Sequence, residues 1–170
     1  ERHPQGTSLP GVPARREDDR MSDTRELDAE IRLAIYRLFV EVGHAPVPAS
    51  IASSIGATSA EVEAGLQRLH DDHLIVLAPG TPYIWMANPF SALPTPYTVS
   101  VGDKTFWGNC IWDSLGIVAM LGSDGTVNAP CPDCSEELRV EIRSGALVLA
   151  EHIVHFTVPA RHWWDDIGFN

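Results

Sequence analysis

The sequence predicts an α+β fold: a helical N-terminal part followed by a mixed, mostly antiparallel α+β part. Three observations predict it. Apolar residues recur at three- and four-residue steps from Leu27 to Leu69, the period of a helix with one buried face. Beyond a Pro-rich stretch at 88–96 the pattern becomes short strand-like runs separated by turn signals such as Gly102-Asp103 and Ser144-Gly145. Among those runs, Asn109 to Leu121 is apolar at helical spacing and closed by Gly122.

Residues 1–22 hold Pro, Gly and charge without apolar periodicity, which predicts a disordered leader with Met21 as a candidate start. From Asp23, the positions Leu27, Ile31, Ala34, Ile35, Leu38, Phe39 and Val42 predict an amphipathic helix ended by Gly43. A short helix over Pro46 to Ile55 follows, then a third opened by Ser59, with Val62, Leu66 and Leu69 on one face. Two short strands, Leu74 to Leu77 and Tyr83 to Met86, complete a winged-helix-like unit over 23–87. A connector spans 88–96. The second part, 97–170, is expected to hold strands over Tyr97–Val101, Lys104–Trp107, Thr126–Ala129, Leu138–Ile142, Ala146–Leu149 and Ile153–Val158.

Charge narrows the partners. Twelve basic residues stand against 23 acidic ones, a net −11. The excess is spread over both halves: eight basic against 13 acidic residues up to position 90, and four against 10 beyond it. Such a surface repels phosphate backbones and anionic lipid, so no nucleic-acid and no membrane partner is expected. The helix that would read DNA, Ser59 to His70, offers Arg68 against Glu61 and Glu63. No apolar run reaches the roughly 20 residues needed to cross a bilayer, and no secretory signal is visible, so the expected location is cytoplasmic.

Three cysteines in such a chain suggest reduced thiols rather than a disulfide framework. Cys110 opens the apolar helix and Asp113 follows three residues later, on the same face. The helix dipole there is expected to lower the thiol pKa. Thiolate and carboxylate together suit a thiophilic metal and a proton transfer. By spacing alone, a buried thiol with Asp113 completing a cap or surface pair is the better fit, because Cys-x-x-Asp is a weak pattern. Cys131-Pro132-Asp133-Cys134 could be half of a zinc site, but no second paired motif supplies the other half, and the seven His lack ligand spacing. A redox dithiol or a structural pair is the other reading of Cys131 and Cys134.

The order of parts and the segment Asn109-Cys110-Ile111-Trp112-Asp113-Ser114-Leu115 resemble the alkylmercury (organomercurial) lyase family. Gly122 through Val127 to Cys131 resembles that family's stretch ending in a structural cysteine, and the 21-residue interval from Cys110 to Cys131 fits it. Ile153 to Pro159 resembles the strand leading to the family's second catalytic cysteine. The resemblance runs from about Ile31 to the end and implies a carbon–mercury lyase. Cys110 would bind the mercury of an organomercurial small molecule, and Asp113 would deliver the proton and then help hold the metal. The products would be a hydrocarbon and Hg(II), released to excess small thiol or a mercuric reductase, with no cofactor required. The family's second cysteine would fall at or just after Asn170, where the sequence stops. The expectation is therefore a catalytic domain lacking its C-terminal part: the chain is cut short, Asn170 replaces the cysteine, or a selenocysteine UGA codon was read as stop. With the second thiol absent, a non-catalytic mercury-binding protein is the alternative, and a winged-helix regulator the third reading.

Overall fold

The computed structural model describes residues 17–148 and 153–168. The helical part comprises α1 (Glu17–Val42), α2 (Pro48–Ile55) and α3 (Ser59–Asp71). Ile31, Ala34, Ile35 and Phe39 of α1 are buried against Ile51 and Ala52 of α2 and Val62, Leu66 and Leu69 of α3, so the predicted stripe is the core face. Pro48 starts α2 with a preset helical φ, and Gly56 ends it in the left-handed conformation. The cap of α3 is Thr58, one residue before the Ser59 expected from the sequence. Its Oγ1 accepts the Glu61 N–H at 3.2 Å while its own N–H donates to Glu61 Oε2 at 2.9 Å, a reciprocal box that satisfies two otherwise orphaned donors.

Two boundaries differ from expectation. Helix α1 begins at Glu17, so the predicted leader is helical over 17–22, while its residues 1–16 lie outside the described residues. Apolar periodicity reports burial rather than helicity, and an exposed position such as Met21, 52% exposed near the start of the helix, leaves no such trace. The 88–96 connector contains a strand, β3 (Phe90–Ser91). It extends the expected pair β1 (Val76–Leu77) and β2 (Ile84–Ala87) into a three-stranded antiparallel sheet ordered β1-β2-β3. Prolines on both sides hid a two-residue strand whose Phe90 is fully buried.

The second sheet comprises β4 (Thr98–Val101), β5 (Lys104–Trp107), β6 (Gly125–Pro130), β7 (Glu137–Arg143) and β8 (Ala146–Leu147), in the order β5-β4-β6-β7-β8 with every pairing antiparallel. Helix α4 (Ile111–Leu121) crosses from β5 to β6 and packs Ile117 and Val118 onto Val99 and Val127 of the sheet. The strand expected over Ile153–Val158 does not form. Ile153 is 92% exposed, and a run without a buried face or a neighbouring edge gains nothing from extended pairing. A 3-10 helix, Ala160–Asp165, follows.

The two parts share one core. Phe90 stacks on Phe39 of α1 at 5.0 Å between ring centres and tilts against Phe106 of β5 at 5.4 Å. Lys104 Nζ donates to the carbonyls of Val40 and Glu41 at 2.7 and 3.2 Å, placing a cation at the negative end of α1. Tyr36 adds a bond from its hydroxyl to the Asn88 carbonyl at 2.8 Å.

Candidate active site

Strand β5 ends at Trp107, and the next three residues turn the chain into α4. Gly108 pairs with the incoming strand through its N–H to the Tyr97 carbonyl at 3.0 Å, and its own carbonyl accepts from Thr95 Oγ1 at 2.7 Å. A side chain at 108 would collide with Ser114 Oγ and come within 2.8 Å of the Ser114 amide. Glycine is therefore required by close approach, since the helix starts directly against the strand end. Ser114 is fully buried and donates from Oγ to the Cys110 carbonyl at 3.0 Å. Asn109 reaches back with Nδ2 to Asn88 Oδ1 at 3.0 Å and to the Phe90 carbonyl at 3.4 Å. The start of α4 is thus fixed to β3, β5 and the loop before β4.

Cys110 is the N-cap of α4, in extended conformation, rather than a residue of its first turn. Its sulfur takes the place of the usual cap oxygen and accepts the Asp113 N–H at 3.5 Å. The thiol donates to Asp113 Oδ2 at 3.6 Å. The two groups predicted to share a face therefore touch, both half-buried.

The electrostatics differ from expectation. The sequence predicts a lowered thiol pKa from the helix dipole; instead, Cys110 lies above the ordinary thiol value. Burial raises it most, the Asp113 amide opposes that, and the neighbouring Asp113 charge raises it again. Taking a thiolate from water outweighs the partial charge of one helix end. Asp113 is also pushed up, by burial, with opposing hydrogen bonds from Asn109 and Cys110. The resting pair is a thiol hydrogen-bonded to a carboxyl group readier to hold a proton than an exposed aspartate.

Cys131 and Cys134 lie elsewhere, on the turn between β6 and β7, as free thiols. Among the described residues no group of three or more His, Cys, Asp and Glu side chains is placed to hold a metal ion, so Cys110, Cys131 and Cys134 do not form one cluster. Trp112 is 57% exposed beside the site and meets Phe156 edge-on at 6.0 Å, with Trp163 5.5 Å from Phe156. Asn109 and Ser114 are site residues that sequence reasoning missed. Polar residues flanking a helix start give no signal until Asn88 and Phe90 are seen to lie beside them. A surface groove of about 610 Å³ along α1, lined by Arg25, Asp28, Arg32, Tyr36 and Leu74, includes none of these groups.

This strand–glycine–cysteine–helix arrangement lies inside a segment with known relatives. Residues 90–169 match the alkylmercury lyase family, MerB. Phe90, Cys110, Asp113 and the turn carrying Cys131 and Cys134 all fall within the matched residues. The fold is similar to that of the mercury-bound form of MerB2, with a TM-score of 0.55 and 20% sequence identity. The match covers 74% of this chain and 66% of that one, so the chain spans just under two thirds of the MerB2 structure. No curated protein matches in sequence. No helix among the described residues is long and apolar enough to cross a membrane.

Proposed function

We propose that this chain is an organomercurial lyase-type protein that cleaves a carbon–mercury bond by protonolysis. One observation carries the reading: in a segment matching the alkylmercury lyase family, the Cys110 thiol donates to the Asp113 carboxylate at 3.6 Å. Mercury bound by an organic group is a soft acid, and sulfur is the ligand it prefers. As the S–Hg bond forms, the thiol proton passes along the existing hydrogen bond to Asp113. The same proton then goes to the carbon. The C–Hg bond breaks, a C–H bond forms, and Hg(II) remains between the Cys110 thiolate and the Asp113 carboxylate.

The raised pKa values suit each role. Cys110 keeps its proton until mercury replaces it, and Asp113 can hold that proton instead of losing it to water. Asn109 and Ser114 hold the geometry, and the exposed face of Trp112 with Phe156 offers an apolar wall for the organic group. The mercury arrives as substrate, so the mechanism needs no further cofactor. Small thiols, or a mercuric reductase, would take the Hg(II).

The test is benzene release from phenylmercury in excess small thiol. Turnover is expected, and Cys110→Ser and Asp113→Ala should each lower it by two orders of magnitude or more, about the size of a lost nucleophile or acid–base group. Stoichiometric mercury retention without benzene would make the chain a mercury-binding protein instead. A winged-helix regulator is disfavoured, because Arg68 on α3 is engaged by Asp28 through bonds of 2.6 and 2.8 Å.

A further inference from the structure

The proposed lyase chemistry leaves the turn Cys131-Pro132-Asp133-Cys134 unused. This turn is held closed. The Cys131 N–H donates to the Glu136 carbonyl and the Ser135 N–H to the Cys131 carbonyl, both at 2.8 Å, and Ser135 takes a left-handed φ of 60°. Inside the loop the amides of Asp133 and Cys134 and the Cys134 thiol all point hydrogen bonds at the Cys131 sulfur, which hold its pKa below the ordinary thiol value. The closed turn carries both thiols on one tight loop, and Cys134 is exposed.

We infer that Cys131 and Cys134 form a second soft-metal site, a dithiol that takes one two-coordinate thiophilic cation such as Hg(II). A zinc-type ion requires four ligands, and among the described residues no third or fourth donor joins this pair. An ion satisfied by two thiolates is served by the turn as it stands. Binding converts two S–H bonds into two S–Hg bonds, and both protons leave to solvent.

Placement links the dithiol to Cys110. Trp107 of β5 and Asn128 of β6 both lie opposite Thr98 of β4. Cys110 and Cys131 each follow three residues later, so the two thiols leave the sheet at the same end. With only β4 between β5 and β6, two strand spacings put these exits roughly 10 Å apart. Hg(II) released at Cys110 would meet the dithiol as its first exchange partner. That transfer rests on the lyase reading; the binding itself does not.

The experiment uses the full, reduced chain carrying Cys110→Ser. It is loaded with mercuric chloride, passed through a desalting column in excess monothiol, and weighed by native mass spectrometry. One Hg(II) per chain is expected to remain. Adding Cys131→Ser or Cys134→Ser should cut retention about tenfold or more, because the second thiol otherwise acts at millimolar effective concentration. Should the Cys131 variant fail to fold, the exposed Cys134 carries the comparison alone. Equal retention in the double variants, or none with Cys110→Ser alone, overturns the site. Parallel benzene release by the unaltered chain keeps the readings separate: mercury held without benzene sinks the lyase reading and leaves the dithiol, and the reverse pattern sinks the dithiol.

Discussion

At the scale of single residues, Cys110 and Asp113 regulate one another. The carboxylate raises the thiol pKa through its charge and by accepting the S–H bond, in addition to the larger effect of burial. Asp113→Asn removes that charge while keeping the shape and the amide that donates to sulfur. The thiol pKa should therefore fall, and the pH at which Cys110 becomes half-reactive toward iodoacetamide should move down. Cys131, held below the ordinary thiol value by its turn amides, should be alkylated at lower pH than Cys110 in the unaltered chain. An unchanged Cys110 profile in the Asn variant would mean that the two side chains do not communicate. The pairing of Cys110 with Asp113 was legible in the sequence from their three-residue spacing. The direction of the thiol shift was not, because spacing reveals the helix dipole but not the burial that outweighs it.

At the scale of elements, the site depends on a strand passing into a helix through a tight three-residue turn. Gly108 makes that possible, since any Cβ would press on Ser114 Oγ and the Ser114 amide. Gly108→Ala should destabilise the protein by about 1–3 kcal/mol, the usual cost of overpacking, and displace the Cys110 cap. Thermal unfolding reads the first effect and loss of benzene release the second; a variant with unaltered melting and turnover would contradict the role given to this junction. Most elements were legible because their periodicity coincides with burial: the stripe of α1, the alternating burial along Gly125–Pro130, and Gly122 closing α4. Those missed lacked that signal. Met21 near the start of α1 is exposed, β3 is two residues between prolines, and Ile153–Val158 is apolar in composition yet exposed, so hydrophobicity predicted a strand with no edge to join.

At the scale of the molecule, Phe39, Phe90 and Phe106 run one core through the helical part and the sheet part. A shared core predicts one cooperative unfolding transition in denaturant, with tryptophan fluorescence and far-UV circular dichroism coinciding. Two separated transitions would contradict a shared core. The net charge of −11 and the Asp28–Arg68 ion pair argue against DNA binding by the three-helix unit, whose Phe39 and Tyr36 support β3 and the loop that holds Asn109. The central claim is that a proton from the Cys110–Asp113 pair replaces mercury on carbon, and the most direct measurement is phenylmercury turnover in heavy water. Benzene carrying a single deuterium, lost with Asp113→Ala, is the predicted result. Benzene without deuterium, or deuterated benzene formed equally well by Cys110→Ser, would contradict it.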